Sequence, residues 1–136
     1  MKIAVLLKQV PDLAEELEVD DSGKALDTEY IKFRLNEYDE HALEEAVCLK
    51  EAGEASEVTA IALDGEEVDK ALFTAMAKGA DKALKLTGTG AEGSRNAAAF
   101  FSEALDSEYD LIMTGVQSVD DREGMMGPML SAMLKI

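Results

Sequence analysis

The chain has 136 residues, is 47% hydrophobic and carries a formal net charge of −16. That length makes one domain with room for a sizeable core, while so much acid excludes nucleic acid, whose phosphates need a basic footprint, and disfavours anionic membranes. One cysteine, Cys48, and one histidine, His41, leave no disulfide framework and no zinc cluster.

No apolar run approaches the roughly 20 residues that cross a bilayer. The N-terminus is too short and wrongly flanked for a signal peptide. Direct membrane insertion is therefore not expected, and a reducing cytoplasm is the default.

Ile3 to Leu7 is a short, continuous apolar run, the pattern of a strand covered on both faces. Lys8 to Asp12 is expected to leave it as a loop. Residues 12–34 are acidic and weakly periodic, with a turn at Asp20-Asp21-Ser22-Gly23-Lys24, and read as an excursion or hairpin. Asn36 is a good N-cap and Asp39 supplies acid to the first turn of the helix that follows. Tyr38, Ala42, Leu43, Ala46, Val47 and Leu49 share its apolar face, and Gly53 ends it.

Val58 to Leu63 is a second buried strand, stopped at Asp64-Gly65. Glu66 to Lys78 is the next helix, with Val68, Ala71, Leu72, Ala75 and Met76 inward and Gly79 as its C′ residue. Ala83 to Leu86 is a third strand, Thr87 to Ser94 a Gly/Thr loop, Arg95 to Leu105 a helix and Leu111 to Thr114 a fourth strand. Met125, Met126, Met129, Leu130, Met133 and Leu134 then recur at helical spacing. Such alternation with short loops implies an α/β fold: an open parallel sheet with helices on both faces, Rossmann-like. The ending at Ile136 reads as an interrupted edge, with a following strand missing or supplied by a partner.

The loop after the fourth strand is the first candidate site. Val119-Asp120-Asp121-Arg122-Glu123-Gly124-Met125-Met126 joins strand to helix at the carboxyl edge of the sheet. Free N–H groups at such a helix start hold phosphates, and Gly124 lets backbone approach closely. An ordinary strand-to-helix loop with a glycine kink has the same pattern.

Four segments together resemble one family, the beta subunit of electron transfer flavoprotein. They are Lys2 to Asp12, Asn36-Glu37-Tyr38-Asp39-Glu40-His41-Ala42-Leu43-Glu44-Glu45-Ala46, Ala75 to Ala83, and Thr114-Gly115-Val116-Gln117-Ser118-Val119-Asp120-Asp121 with Gly124 and Gly127-Pro128. The likeness runs from residue 1 to about residue 134. Family members are nearly twice as long, so the chain is expected to be one nucleotide-binding domain, residues 1–136, without the C-terminal portion. The resemblance implies the adenine nucleotide alpha hydrolase-like version of the fold. It also implies a heterodimer with an alpha subunit, which holds most of an FAD that carries electrons from acyl-CoA or other dehydrogenases. The beta subunit would bury AMP, or a second FAD in bifurcating relatives.

The resemblance also carries residues. Asn36 matches a position near the adenosine and Asp64 one lining the nucleotide, although a helix cap and a turn residue explain them as well. Leu6 would back the adenine, or simply fill the core. Leu13 falls where some relatives place a tyrosine against the flavin, and Lys8 and Gln9 would line the same mouth. Across 122–125 many relatives read Asp-Thr-Gly-Gln, where this chain has Arg122-Glu123-Gly124-Met125. A hydroxyl and an amide are lost. Glu123 would then satisfy the helix start in place of an anion, or Arg122 would reach a phosphate bidentately.

The remaining chemistry-bearing residues read as structural. His41 is expected at the surface, Cys48 as a small packing residue, and Glu44-Glu45 and Glu66-Glu67 as solvated faces. The methionine stripe is core or an adaptable partner-facing surface. No nucleophile–base–acid set appears, which fits an electron carrier rather than an enzyme. Two alternatives stand beside this reading. One is a stand-alone adenine-nucleotide-binding module of the universal stress protein type, although that family's Gly-rich loop is not present after the last strand. The other is a fragment that forms a homodimer through its open edge and binds nothing.

Overall fold

The computed structural model describes residues 1–14, 16–105 and 108–136. Ten elements follow in order: β1 (Lys2–Leu7), β2 (Gln9–Pro11), β3 (Phe33–Leu35), α1 (Glu37–Glu51), β4 (Glu57–Leu63), α2 (Val68–Lys78), β5 (Lys82–Leu86), α3 (Ser94–Ala104), β6 (Leu111–Thr114) and α4 (Met126–Leu134). Four strands form one sheet in the order β5-β4-β1-β6, all parallel. Ile3 of β1 lies opposite Val58 on one side and Leu111 on the other.

The apolar run of β1 is continuous because both its faces are covered. Ile3, Val5 and Leu7 pack into a core with Leu43, Ala46 and Val47 of α1 and Val68, Ala71, Leu72 and Ala75 of α2. Ala4 and Leu6 face the opposite core, with Ala98 and Phe101 of α3 and Leu130 of α4. The edge strand β5 is guarded by charge: Lys82 pairs with Glu57 at 2.8 Å and Lys85 with Asp69 at 2.9 Å. Charged edges of this kind discourage further strand pairing.

Several expectations need correction. Gln9 to Pro11 is not loop but β2, paired antiparallel with β3. Its partner lies more than twenty residues away, and Pro11, which lacks an N–H, is tolerated because it ends a two-stranded ribbon. The excursion between these strands turns where expected: the Asp20 N–H donates to the Ala25 carbonyl, and Val19 bridges Leu26. Glu15, within it, lies outside the described residues.

Helix α2 begins at Val68 rather than Glu66, because Glu67 sits in the left-handed region with φ 54°. Tyr38 and Met76, expected inward, are 42% and 41% exposed. The buried stripes are instead Ala42, Leu43, Ala46 and Val47 of α1 and Val68, Ala71, Leu72 and Ala75 of α2. Cys48 is exposed rather than packed, whereas His41, Glu44, Glu45, Glu66 and Glu67 are exposed as expected. The methionine stripe divides. Met126 and Met129 pack against the second core, while Met125 and Met133 face solvent. Among the described residues no helix is long and apolar enough to cross a membrane.

Candidate functional site

Strands β4 and β5 extend the sheet to one side of β1, and β6 lies on the other. The strand order therefore reverses between β1 and β6, and their exits diverge. Ligands of open α/β sheets bind outside such a switch point. Here a cleft of about 830 Å³ opens at the carboxyl edge, within the usual range for ligand pockets, about 300–1,000 Å³.

Leu6, Asn36, Asp64, Asp120, Asp121, Arg122, Glu123, Gly124 and Met126 line this cleft, as their sequence positions suggest. Leu13, Val119 and Met125 do not. Leu13 lies on the excursion and is 63% exposed. Val119 is exposed, and Met125 occupies the exposed N-cap position of α4. Gln9, Gln117 and the Gly88–Ser94 loop also line the cleft. The last of these had a signal in the sequence, a glycine-rich loop leaving a strand at the carboxyl edge.

Side chains suspend the β6–α4 loop from several elements. The Lys8 ammonium pairs with Asp120 at 2.8 Å and lies 3.3 Å from the Ser118 hydroxyl. Partial burial pushes Asp120 up, but Lys8 and the Ser118 hydroxyl outweigh it and hold the carboxyl below its ordinary range. The Ser94 hydroxyl, at the start of α3, donates to Asp121 at 2.5 Å. Gly124 has φ +64°, and a Cβ there would lie 2.8 Å from the Val116 carbonyl oxygen. The loop thus folds back on itself in a way only glycine allows.

The first turn of α1 holds the same loop. Asn36 is 2% exposed, but its side chain makes no cap. Its amide instead donates to the Gln117 carbonyl at 2.9 Å. Asp39, read from sequence as an acid serving the helix dipole, is 7% exposed. One of its oxygens accepts the Lys8 N–H at 2.9 Å and the other the Gly115 N–H at 3.0 Å. Burial pushes its carboxyl up to about 6, against the pull of Asn36, both backbone N–H groups and the Lys8 charge.

The start of α4 has no side-chain cap. Among the described residues no side chain accepts the Met126 or Gly127 N–H, so Glu123 does not act as an internal anion. Its carboxylate is exposed, while its backbone N–H donates to Asp121 at 3.3 Å.

The chain matches the electron transfer flavoprotein domain family over residues 24–136. It belongs to the electron transfer flavoprotein family. It is 36% identical over 124 residues to the electron transfer flavoprotein subunit beta of Methylophilus methylotrophus, covering 88% of this chain and 47% of the relative. The corresponding subunit of Bradyrhizobium diazoefficiens is 31% identical over 135 residues, covering 98% and 54%. That of Thermoanaerobacterium thermosaccharolyticum is 34% identical over 139 residues, covering 100% and 53%. The chain spans about half the length of the curated relatives it matches. The match favours the flavoprotein over the stress-protein alternative.

The cleft of this electron transfer flavoprotein chain has donors suited to one phosphate. The α4 amides are uncapped, and Arg122 makes no ion pair among the described residues. Leu6, Leu63, Ala97 and Phe101 supply an apolar wall, the surface an adenine ring needs. Leu13 is outside the cleft and exposed. A flavin contact there would need a partner to enclose it.

Proposed function

We propose that this chain is the nucleotide-binding portion of an electron transfer flavoprotein beta subunit, and that the cleft between β1 and β6 takes AMP. The supporting observation is the uncapped α4 N-terminus beside Arg122, which has no ion pair among the described residues, in a cleft that gathers Leu6, Asn36 and Asp64 around one volume. The Met126 and Gly127 amides and Arg122 would hold the phosphate. Leu6 and Phe101 would flank the base. Asp120 and Asp121 serve as loop ties rather than ligands, since Lys8 and Ser94 already engage them.

FAD, held mostly by an alpha subunit, supplies the electron-carrying chemistry when bound. Leu13 of this chain would pack near that flavin at the subunit boundary. Acyl-CoA or other dehydrogenases are the proposed donors, and the chain itself performs no catalysis. Calorimetry with AMP tests the nucleotide reading, with micromolar binding expected and no heat at millimolar AMP counting against it. Co-expression with an alpha subunit tests the rest. A yellow 1:1 complex is expected, and a colourless protein that never co-purifies would refute it.

A further inference from the structure

An acid in the third position of a helix ordinarily faces water and favours the helix dipole. Asp39 instead turns inward, and burying a carboxylate is costly unless its oxygens are satisfied. Two backbone N–H groups satisfy it, and they belong to the residues just past β1 and β6, Lys8 and Gly115. Gly115 admits this approach because it has no side chain: a Cβ there would lie 2.2 Å from Asp39 Oδ1 and 2.9 Å from the Asp39 nitrogen. Asn36, one turn earlier, adds its bond to the Gln117 carbonyl and takes the Lys8 carbonyl with its own N–H at 2.9 Å.

We propose that Asp39 is a positioning residue whose carboxylate clasps the exits of β1 and β6, holds the 115–124 loop in place for an adenylate's phosphate, and lets it go on protonation. The ligand half of this rests on the AMP reading above; the loop half does not. Protonation removes the negative charge that strengthens both bonds and leaves a neutral carboxyl, a weaker acceptor. The grip on both strand exits then loosens. Lys8 is the charge whose field reaches Asp39, and its ammonium is held by Asp120. β6 presents only the Gly115 backbone. On α1 itself Glu37 is exposed and Glu40 pairs with Lys78. Burial places the titration of Asp39 at about 6.

The test uses the full chain and two measurements. In 1H–15N spectra between pH 5 and pH 8, the Lys8 and Gly115 amides are expected to shift together with one midpoint near 6. In Asp39→Asn neither moves over that range. The wild-type titration alone decides the loop half if the variant does not fold. The second measurement is calorimetry with the methyl ester of AMP, because AMP itself titrates at about pH 6 and the ester does not. Its affinity is expected to fall about tenfold from pH 7.5 to pH 5 in the wild type. In Asp39→Asn it is about tenfold weaker at pH 7.5 and flat with pH. Amides that stay still, or that titrate alike in the variant, overturn the clasp. An ester that binds both proteins alike and without pH dependence also overturns it, while leaving the AMP reading intact. An ester that binds neither protein removes the AMP reading, and the amide titration still judges the clasp.

Discussion

Replacing Gly115 by alanine tests how tightly α1 is drawn onto the sheet. The added Cβ would meet Asp39 Oδ1 at 2.2 Å, and also the Asp39 backbone nitrogen and Tyr38 Cβ, both at 2.9 Å. Backbone cannot swing aside, so the first turn of α1 must move off β6. Overpacking of this kind costs about 1–3 kcal/mol. Losing the Gly115 N–H from a buried charged acceptor adds about 1–3 kcal/mol. A loss of about 3–5 kcal/mol lowers the melting temperature of a domain this size by roughly 10–15 °C.

Gly88→Ala is the control, because its clash is just as close but of a different kind. Its Cβ would lie 2.4 Å from Phe100 Cε1 and 3.0 Å from Phe100 Cζ. Those atoms are the far end of a half-buried ring that can rotate away, so the expected loss is within about 1 kcal/mol. Thermal melts followed by circular dichroism at pH 7 compare the two. A Gly115→Ala protein melting within about 3 °C of wild type, or losing no more than Gly88→Ala, would refute the account of α1 docking.

Two further predictions concern charge. The Asp39 pKa is raised by burial from 3.8 to about 6, so its contribution to stability is present below pH 4 and lost as pH rises through 6. The stability difference between Asp39→Asn and wild type, from urea unfolding, should therefore move by about 2 kcal/mol in the variant's favour between pH 4 and pH 7. A difference that stays constant with pH would show that Asp39 does not titrate there. In AMP calorimetry, Arg122→Ala is expected to weaken binding about five- to tenfold, a charge-assisted bond discounted for its exposure. Glu123→Gln should tighten binding about two- to threefold by removing a like charge. Changes of the opposite sign would place the phosphate elsewhere.

The parallel sheet was legible because Ile3 to Leu7 is an unbroken apolar run and Val58 to Leu63 is nearly so, with Thr59 its one polar residue, a pattern that two-sided burial explains. The β2–β3 ribbon was not, because its pairing depends on residues brought back across an acidic excursion. The loop was legible where it depends on local backbone: Gly124 is a feature of a single strand-to-helix turn, whereas the sequence left open whether Glu123 would occupy the α4 start. It was hidden where it depends on tertiary contact. Asp39 looked like any acid in a first turn, and nothing local shows that Gly115, distant in sequence, would draw it inward. Asn36 shows the same limit, since a good capping residue spends its amide on Gln117 instead.

The cleft's charge narrows what it can hold. Asp39, Asp64, Glu66, Glu92, Asp120, Asp121 and Glu123 line it against Lys8 and Arg122, and Lys8 is already committed to Asp120. Each like-charge pair at 4–8 Å costs about 0.5–1 kcal/mol even in water. A polyphosphate would multiply that penalty, whereas the α4 amides and Arg122 can serve a single phosphate. The same field makes the clasp decidable. An ionised Asp39 adds one more negative charge, so if only its field mattered, an anionic nucleotide would bind less tightly as pH rises through 6. If Asp39 acts by holding the Lys8 and Gly115 amides, binding strengthens over that interval. The two effects have opposite signs, and the methyl ester of AMP, whose own charge is constant, reports which one dominates.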